Sequence, residues 1–251
     1  MRIVSLVPSW TETLFASEAK VVGRTRYCIH PHGSVKTAQI VGGTKNLQIE
    51  KIKQLNPDLI VLDKEENTRE MAEELSDFPQ WISHIRSIQD MPEALNGLLQ
   101  ATQLPELENM AMDWSRLLSA KAQSFDFKNL PGLMKWVKQP SVTPKRILYL
   151  IWHNPWMGIN SNTFIGSVFD WLGAGHMLPS FDKQYPEIDI RDFTDPETII
   201  LASSEPFPFA QKEEVFKGLE NPVAIVDGEV FSWFGIRSYR ALEKLKDNAS
   251  T

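Results

Sequence analysis

The residues able to do chemistry in this 251-residue chain follow apolar runs. The run Arg146-Ile147-Leu148-Tyr149-Leu150-Ile151 stops abruptly at Trp152-His153-Asn154-Pro155-Trp156-Met157. Two indoles, an imidazole and a thioether thus follow an expected strand, where open α/β sheets place their ligands because strand ends and helix starts converge. Aromatic faces supply stacking and burial, so this loop is expected to be one wall of an aromatic cleft.

Other groups stand in comparable places. Ser9 and Trp10 follow the apolar run at Ile3 to Val7, and Ser9 with Glu12 has the spacing of a capping box. A helix start is equally compatible with a plain cap or with a ligand-facing indole. Tyr27, Cys28, His30 and His32 lie on one loop. Thiolate and imidazole bind zinc, but structural zinc sites show two separated ligand pairs, so a pocket wall or a solvated loop fits better.

Val41-Gly42-Gly43-Thr44-Lys45-Asn46 lacks both the Walker ending and the dinucleotide glycine pattern, and no phosphate cradle is supported. Asp63-Lys64-Glu65-Glu66-Asn67 carries neighbouring carboxylates, which rarely face one substrate from two sides. A solvated helix start whose acids favour the dipole is the better reading. Further aromatics occur at Tyr185, Phe207, Phe209, Trp233 and Phe234.

The elements that must hold these groups alternate. Strands are expected at 3–7, 21–24, 59–62 and 81–85, with helices from Ser9, over 47–55, over 68–75 and from Asp90, where Glu93 again completes a box-like cap. That alternation over 1–104 is the signature of a parallel, helix-covered sheet. Leu107, Met110, Ala111, Trp114, Leu117 and Leu118 form one stripe of a helix over 106–122, which at 1.5 Å per residue reaches about 25 Å.

An irregular stretch over 125–144 follows, and with the helix it is taken as the connection over 105–144. A second α/β lobe then occupies 145–251, with a helix over 164–172 capped by Ser161 or Asn162 and ended by Gly173. Its further elements are strands at 198–201 and 223–226 and helices at 211–219 and 236–246. Asp195-Pro196-Glu197 before an apolar run echoes Asn56-Pro57-Asp58 before another, as two similarly built lobes would produce.

Composition narrows the function. The net charge of −6, with acids and bases interspersed, disfavours nucleic acid and anionic membranes as partners. Eight Trp and thirteen Phe exceed what a core of this size requires. The single cysteine excludes an internal disulfide. Met1 opens directly into a strand with no apolar leader, so a cytoplasmic location is expected if Met1 is native, and a periplasmic one if a leader was removed.

Taken together, Ser5-Leu6-Val7-Pro8-Ser9 with Thr11-Glu12, Val22-Gly23 before Tyr27-Cys28, Val41-Gly42-Gly43, Pro57-Asp58-Leu59-Ile60-Val61 and Trp171-Leu172-Gly173 with Gly175 resemble the cobalamin- and siderophore-type substrate-binding proteins of ABC importers. The resemblance covers nearly the whole chain and is nearest the cobalamin-binding branch. It implies an α/β fold of two Rossmann-like lobes with parallel sheets, joined by one long helix, with a ligand cleft between them.

By position it implies a first lobe that contributes Ser9, Trp10, Tyr27, Lys64, Glu65, Glu66 and Asn67. The second would add Trp152, Asn154, Trp156, Tyr185, Glu205, Phe207, Trp233 and Phe234. A corrinoid such as cobalamin would be bound as ligand, with no cofactor, no catalytic residue and no structural metal. Arg69 and Arg191 stand near positions where relatives carry permease-docking acids, with Glu70 and Asp192 adjacent. The alternatives are a ferric-siderophore or haem carrier, a cytosolic tetrapyrrole-processing enzyme using His153 or His30, and an interaction domain.

Overall fold

The computed structural model describes residues 1–120, 126–127, 130 and 132–248, the last three by backbone alone. The chain forms two compact units, one made of Met1–Ile85, Gln89–Ser119 and Trp233–Tyr239 and the other of Arg86–Ile88, Ala120–Ser232 and Arg240–Thr251. No helix among the described residues is long and apolar enough to cross a membrane.

In the first unit, β1 (Ile3–Ser5), α1 (Pro8–Ala16), β2 (Val21–Arg24), β3 (Gln39–Ile40), α2 (Ile49–Leu55), β4 (Leu59–Asp63), α3 (Arg69–Glu74) and β5 (Gln80–Ser83) follow in order. The strands make a wholly parallel sheet of order β3-β2-β1-β4-β5. Every residue of β4 is buried, as expected of a strand covered on both faces. Val4, Leu6, Ile52, Ile60, Leu62 and Leu75 form a core between sheet and helices. Each such side chain withdrawn from water contributes about 1.5–3 kcal/mol.

Two further helices, α4 (Met91–Thr102) and α5 (Glu106–Ser119), pack on one another. The buried stripe of α5 is Leu107, Ala111, Trp114 and Leu117. The expected continuation of α5 to Ala122, and Phe125 and Pro131 of the irregular stretch, lie outside the described residues.

In the second unit come β6 (Leu133–Lys138), β7 (Arg146–Trp152), β8 (Met157–Gly158), α6 (Phe164–Trp171), β9 (Thr198–Ser203), β10 (Val223–Val226) and α7 (Gly228–Ser232), and α8 (Ile236–Asn248) closes the chain. The sheet order is β6-β10-β9-β7-β8. Its inner strands β7, β9 and β10 are parallel, but both edges run antiparallel. This corrects the expectation of two parallel sheets. The connection from β7 to β8 is too short for a crossover and can only turn back as a hairpin.

The expected irregular stretch also contains β6. Prolines at 140 and 144 read as breakers, yet an edge strand flanked by prolines needs only one ladder partner, and Lys135 and Lys138 suit such an edge. The expected helix over 211–219 is two 3₁₀ turns, Phe209–Gln211 and Glu213–Phe216.

Three caps differ from expectation. α1 starts at Pro8 with Val7 at its cap, a side chain without an acceptor, so Ser9 falls inside the helix and Glu12 is engaged by Arg237 instead. Asp90 makes no cap bond to α4. The cap of α6 is Thr163, whose hydroxyl accepts from the Gly166 amide at 3.0 Å. Gly166 has to be glycine, since a Cβ there would come within 2.3 Å of the Ser161 carbonyl oxygen. Gly173 follows α6 with φ +77°, as a glycine stop requires.

Candidate ligand site

In the first unit the functional candidates follow the carboxyl ends of β1, β2, β3, β4 and β5. Trp10 is fully buried there. Its indole N–H donates to Ser83 Oγ at 2.7 Å, and its ring meets Trp81 and Phe234 edge-on at 5.0 and 5.2 Å. The expectation of a ligand-facing Trp10 is therefore corrected: α1 turns the ring into the core, where a buried indole finds its required acceptor.

Ser83 Oγ in turn donates to Asp63 Oδ2 at 2.6 Å. Asp63 is only 1% exposed and also accepts from the amides of Glu65 and Ile85. This contradicts the solvated helix start expected for the acidic run, which is instead a turn folded over a buried carboxylate. Burial without such donors would be prohibitive for the ion.

Asn67, expected at a ligand, is buried and bonded to the chain. Its Oδ1 accepts from the Asp63 amide, and its Nδ2 donates to the Leu6 and Thr44 carbonyls. Lys64 and Glu65 remain exposed. Glu66 is half-buried, and burial, reinforced by the charge of Asp63, pushes its carboxyl above the ordinary range. Lys64 and Asn67 line a cavity of about 290 Å³ with Leu62, Thr68, Arg69 and Ile82.

Tyr27 is 52% exposed, with the Arg26 guanidinium carbon 5.3 Å from its ring centre. Ser9 is buried. Cys28 is buried between the hydroxyls of Thr11 and Thr25, and burial raises its thiol above the usual range. His30 and His32 lie ring to ring at 4.4 Å, and His30 meets Trp233 edge-on at 5.4 Å.

Trp233 and Phe234 were expected in the second lobe, but both belong to the first unit. The Ile236 amide donates to Thr13 Oγ1 at 3.1 Å, and Arg237 makes a two-pronged pair with Glu12 at 2.7 and 3.1 Å. These bonds fasten the segment to α1. Sequence reasoning marked Glu12 only as a cap partner, and nothing local signals a contact with a residue 225 positions away.

In the second unit the aromatic set expected after β7 is assembled. Trp152, 39% exposed, meets Phe207 edge-on at 5.7 Å. The His153 ring lies 4.4 Å from Trp156 and 5.6 Å from Phe207. Trp156 stacks parallel to Phe209 at 6.2 Å, and Phe207 lies 4.7 Å from Phe209. Asn154, at φ +65°, is the exposed tip of the hairpin.

The chain carrying Tyr185 runs beside β8. Asn160 donates to the Gln184 carbonyl, Gly158 to that of Pro186, and Ile188 to that of Trp156. Tyr185 is thereby fixed next to the hairpin and stays 37% exposed. Glu205 is half-buried, and its Oε1 accepts from Ser232 at 3.3 Å. The second unit thus offers exposed and half-buried rings with a carboxylate and an amide nearby, an arrangement that binds a flat apolar surface by stacking. Among the described residues no group of three or more His, Cys, Asp or Glu is placed to hold a metal ion.

No protein-family model matches the chain. It is 24% identical over 194 residues to the vitamin B12-binding protein of Vibrio vulnificus, covering 75% of this chain and 66% of that protein, just under two thirds of its length. With the vitamin B12-binding protein of Pectobacterium atrosepticum it shares 23% over 252 residues, 97% of this chain and 86% of the relative.

Among solved structures, the periplasmic vitamin B12-binding protein BtuF of Vibrio cholerae superposes with a TM-score of 0.68 at 18% identity, over 99% of this chain and 96% of that one. A periplasmic haem-binding protein from Pseudomonas aeruginosa gives 0.69 at 18% identity, over 98% and 91%. Likeness at this level establishes a shared fold. All four proteins are named as binding proteins, not enzymes.

Proposed function

We propose that this chain, a member of the class III substrate-binding protein family, is a non-enzymatic carrier of a flat corrinoid such as cobalamin, of the kind that feeds an ABC importer. The observation that carries this reading is the ring cluster of Trp152, Trp156 and Phe207, left partly open to solvent around a hairpin. The contacts we assign, each unit taken by itself, are Tyr27, Lys64, Glu65 and Glu66 in the first unit and Trp152, Asn154, Trp156, Tyr185, Glu205 and Phe207 in the second. Both relatives described above are named for vitamin B12.

A haem is the second reading. His153, held by Trp156 and Phe207, offers an imidazole beside the stacking surface, and the Pseudomonas aeruginosa neighbour is named as a haem-binding protein. The tetrapyrrole-processing enzyme finds no support among the relatives.

For a permease partner, Arg69 is engaged by Glu73 at 2.7 Å and Arg191 by Asp189 at 2.8 Å. Glu70 and Asp192 stand exposed beside them. We therefore assign to those two acids any docking to basic residues of a permease. A cytoplasmic location has no support from the solved neighbours, which are named as periplasmic, and an extracytoplasmic carrier is the reading we adopt.

Tryptophan fluorescence tests the assignment during titration with cobalamin, cobinamide, haem and a ferric siderophore. Saturable quenching by a corrinoid recovered unchanged is expected, and Trp152→Ala should weaken it about tenfold, as loss of an aromatic anchor does. Silence with all four compounds, or chemical turnover of one, would overturn it.

A further inference from the structure

A glycine turn, Gly42-Gly43, follows β3. Gly42 has φ +125°, and its carbonyl accepts from the Arg26 amide at 2.8 Å. Gly43 lies beneath two side chains at once. A Cβ at that position would come within 2.9 Å of Arg26 Nη2 and 3.2 Å of Tyr27 Cε2. Gly43 is therefore the seat on which Arg26 and Tyr27 rest, at the carboxyl ends of β2 and β3, while Gly42 lies against the backbone of Asn46 and Leu47.

On that seat Arg26 is exposed. Its guanidinium makes a cation–π contact with Tyr27. Among the described residues, its side-chain N–H groups take part in no ion pair and no hydrogen bond. Arg24, two residues earlier, is the contrast: it is buried and donates to the carbonyls of Val35, Thr25 and Cys28. Lys45, on the same turn, is committed to the Glu65 carbonyl at 3.0 Å.

A cation–π contact uses up none of the guanidinium's N–H donors, which remain for an anion. Those donors form a planar fork matched to a carboxylate or a phosphate, which a lysine ammonium cannot imitate. Holding the fork on Tyr27 lowers the side-chain entropy lost on binding.

We propose that Arg26, seated on Gly43 and in cation–π contact with Tyr27, is a subsite for an anionic arm, phosphate or carboxylate, of the bound ligand. This rests on the carrier reading above and adds a polar selector to it. Cobalamin carries such an arm as a phosphodiester, and cobinamide lacks it. Haem carries two carboxylates, which its dimethyl ester masks.

The experiment titrates wild type, Arg26→Gln, Arg26→Lys and Gly43→Ala with these two ligand pairs, read by tryptophan quenching. Wild type should prefer the anionic member of one pair by about tenfold, the usual scale for a charge-assisted bond. Arg26→Gln should erase the preference while leaving binding of the partner without the anionic arm unchanged. Arg26→Lys should restore only part of it, and Gly43→Ala should weaken it by displacing the guanidinium.

The pair that responds separates phosphate from carboxylate recognition. Equal binding within both pairs, or loss of charged and masked ligands alike in Arg26→Gln, would overturn the subsite and leave the carrier reading standing. Absence of quenching by all four would remove the carrier reading and the subsite with it.

Discussion

Ser83 donates its hydroxyl to the Asp63 carboxylate at 2.6 Å while accepting the Trp10 indole N–H at 2.7 Å. One small side chain on the edge strand β5 thus joins a core aromatic from α1 to a buried anion at the end of β4. Replacing it by alanine would leave an indole donor without its acceptor and remove one of three donors to the carboxylate. Ser83→Ala should destabilise the protein by about 2–4 kcal/mol. Urea unfolding measures this, and a change below about 0.5 kcal/mol would show the triad to be dispensable.

The Glu12–Arg237 pair predicts a non-additive result. Both side chains are largely buried, and Arg237 also lies 5.3 Å from the Trp233 ring centre. Glu12→Ala should cost about 3 kcal/mol by leaving a guanidinium buried without its partner. The double variant Glu12→Ala/Arg237→Ala should cost clearly less than the sum of the two singles. Strict additivity in the double-mutant cycle would contradict the coupling.

Glu66 predicts a pH dependence. Its carboxyl is raised, first by burial and then by the charge of Asp63, with Lys45 acting in the opposite direction. For a group whose folded-state value lies above its unfolded one, the folded form holds the proton more tightly. Its contribution is then fully present below the ordinary range near 4.5 and is lost as pH rises through the folded value. Glu66→Gln should therefore stabilise the protein near neutral pH and make little difference at the acidic end. Thermal unfolding of both proteins across pH checks the sign, and a constant difference would refute it.

Gly166→Ala should destabilise by about 1–3 kcal/mol, because the added methyl meets backbone rather than a side chain that can yield. At Gly173 open space surrounds the position, so Gly173→Ala tests only the left-handed backbone and should cost about 1 kcal/mol. Calorimetry on both variants should rank them in that order.

Much of this protein is written locally. Continuous apolar runs placed β1, β2, β4, β7, β9 and β10, and period-3.6 patterns placed the helices α2 to α6, close to where they stand, since both record how much of a single element must avoid water. The aromatic loop after β7 was equally legible, because Trp152, His153 and Trp156 lie within five residues of one another, but its return as the antiparallel strand β8 was not. The same local logic took prolines for an irregular stretch and missed β6, whose partner β10 lies far along the chain.

Tertiary structure alone decided which polar and aromatic groups face inward. Trp10 and Asn67 carry the same residue types as binding groups do, yet one is a core ring and the other a latch on three backbone groups. Asp63 reads as one acid in a charged run and is in fact the buried member of a bonded triad. Trp233 and Phe234 join the first unit through Glu12, Thr13 and Trp10, more than 200 positions earlier in the sequence. Periodicity along the chain records how each segment meets water, whereas burial of a particular polar group depends on donors that only distant segments bring to it.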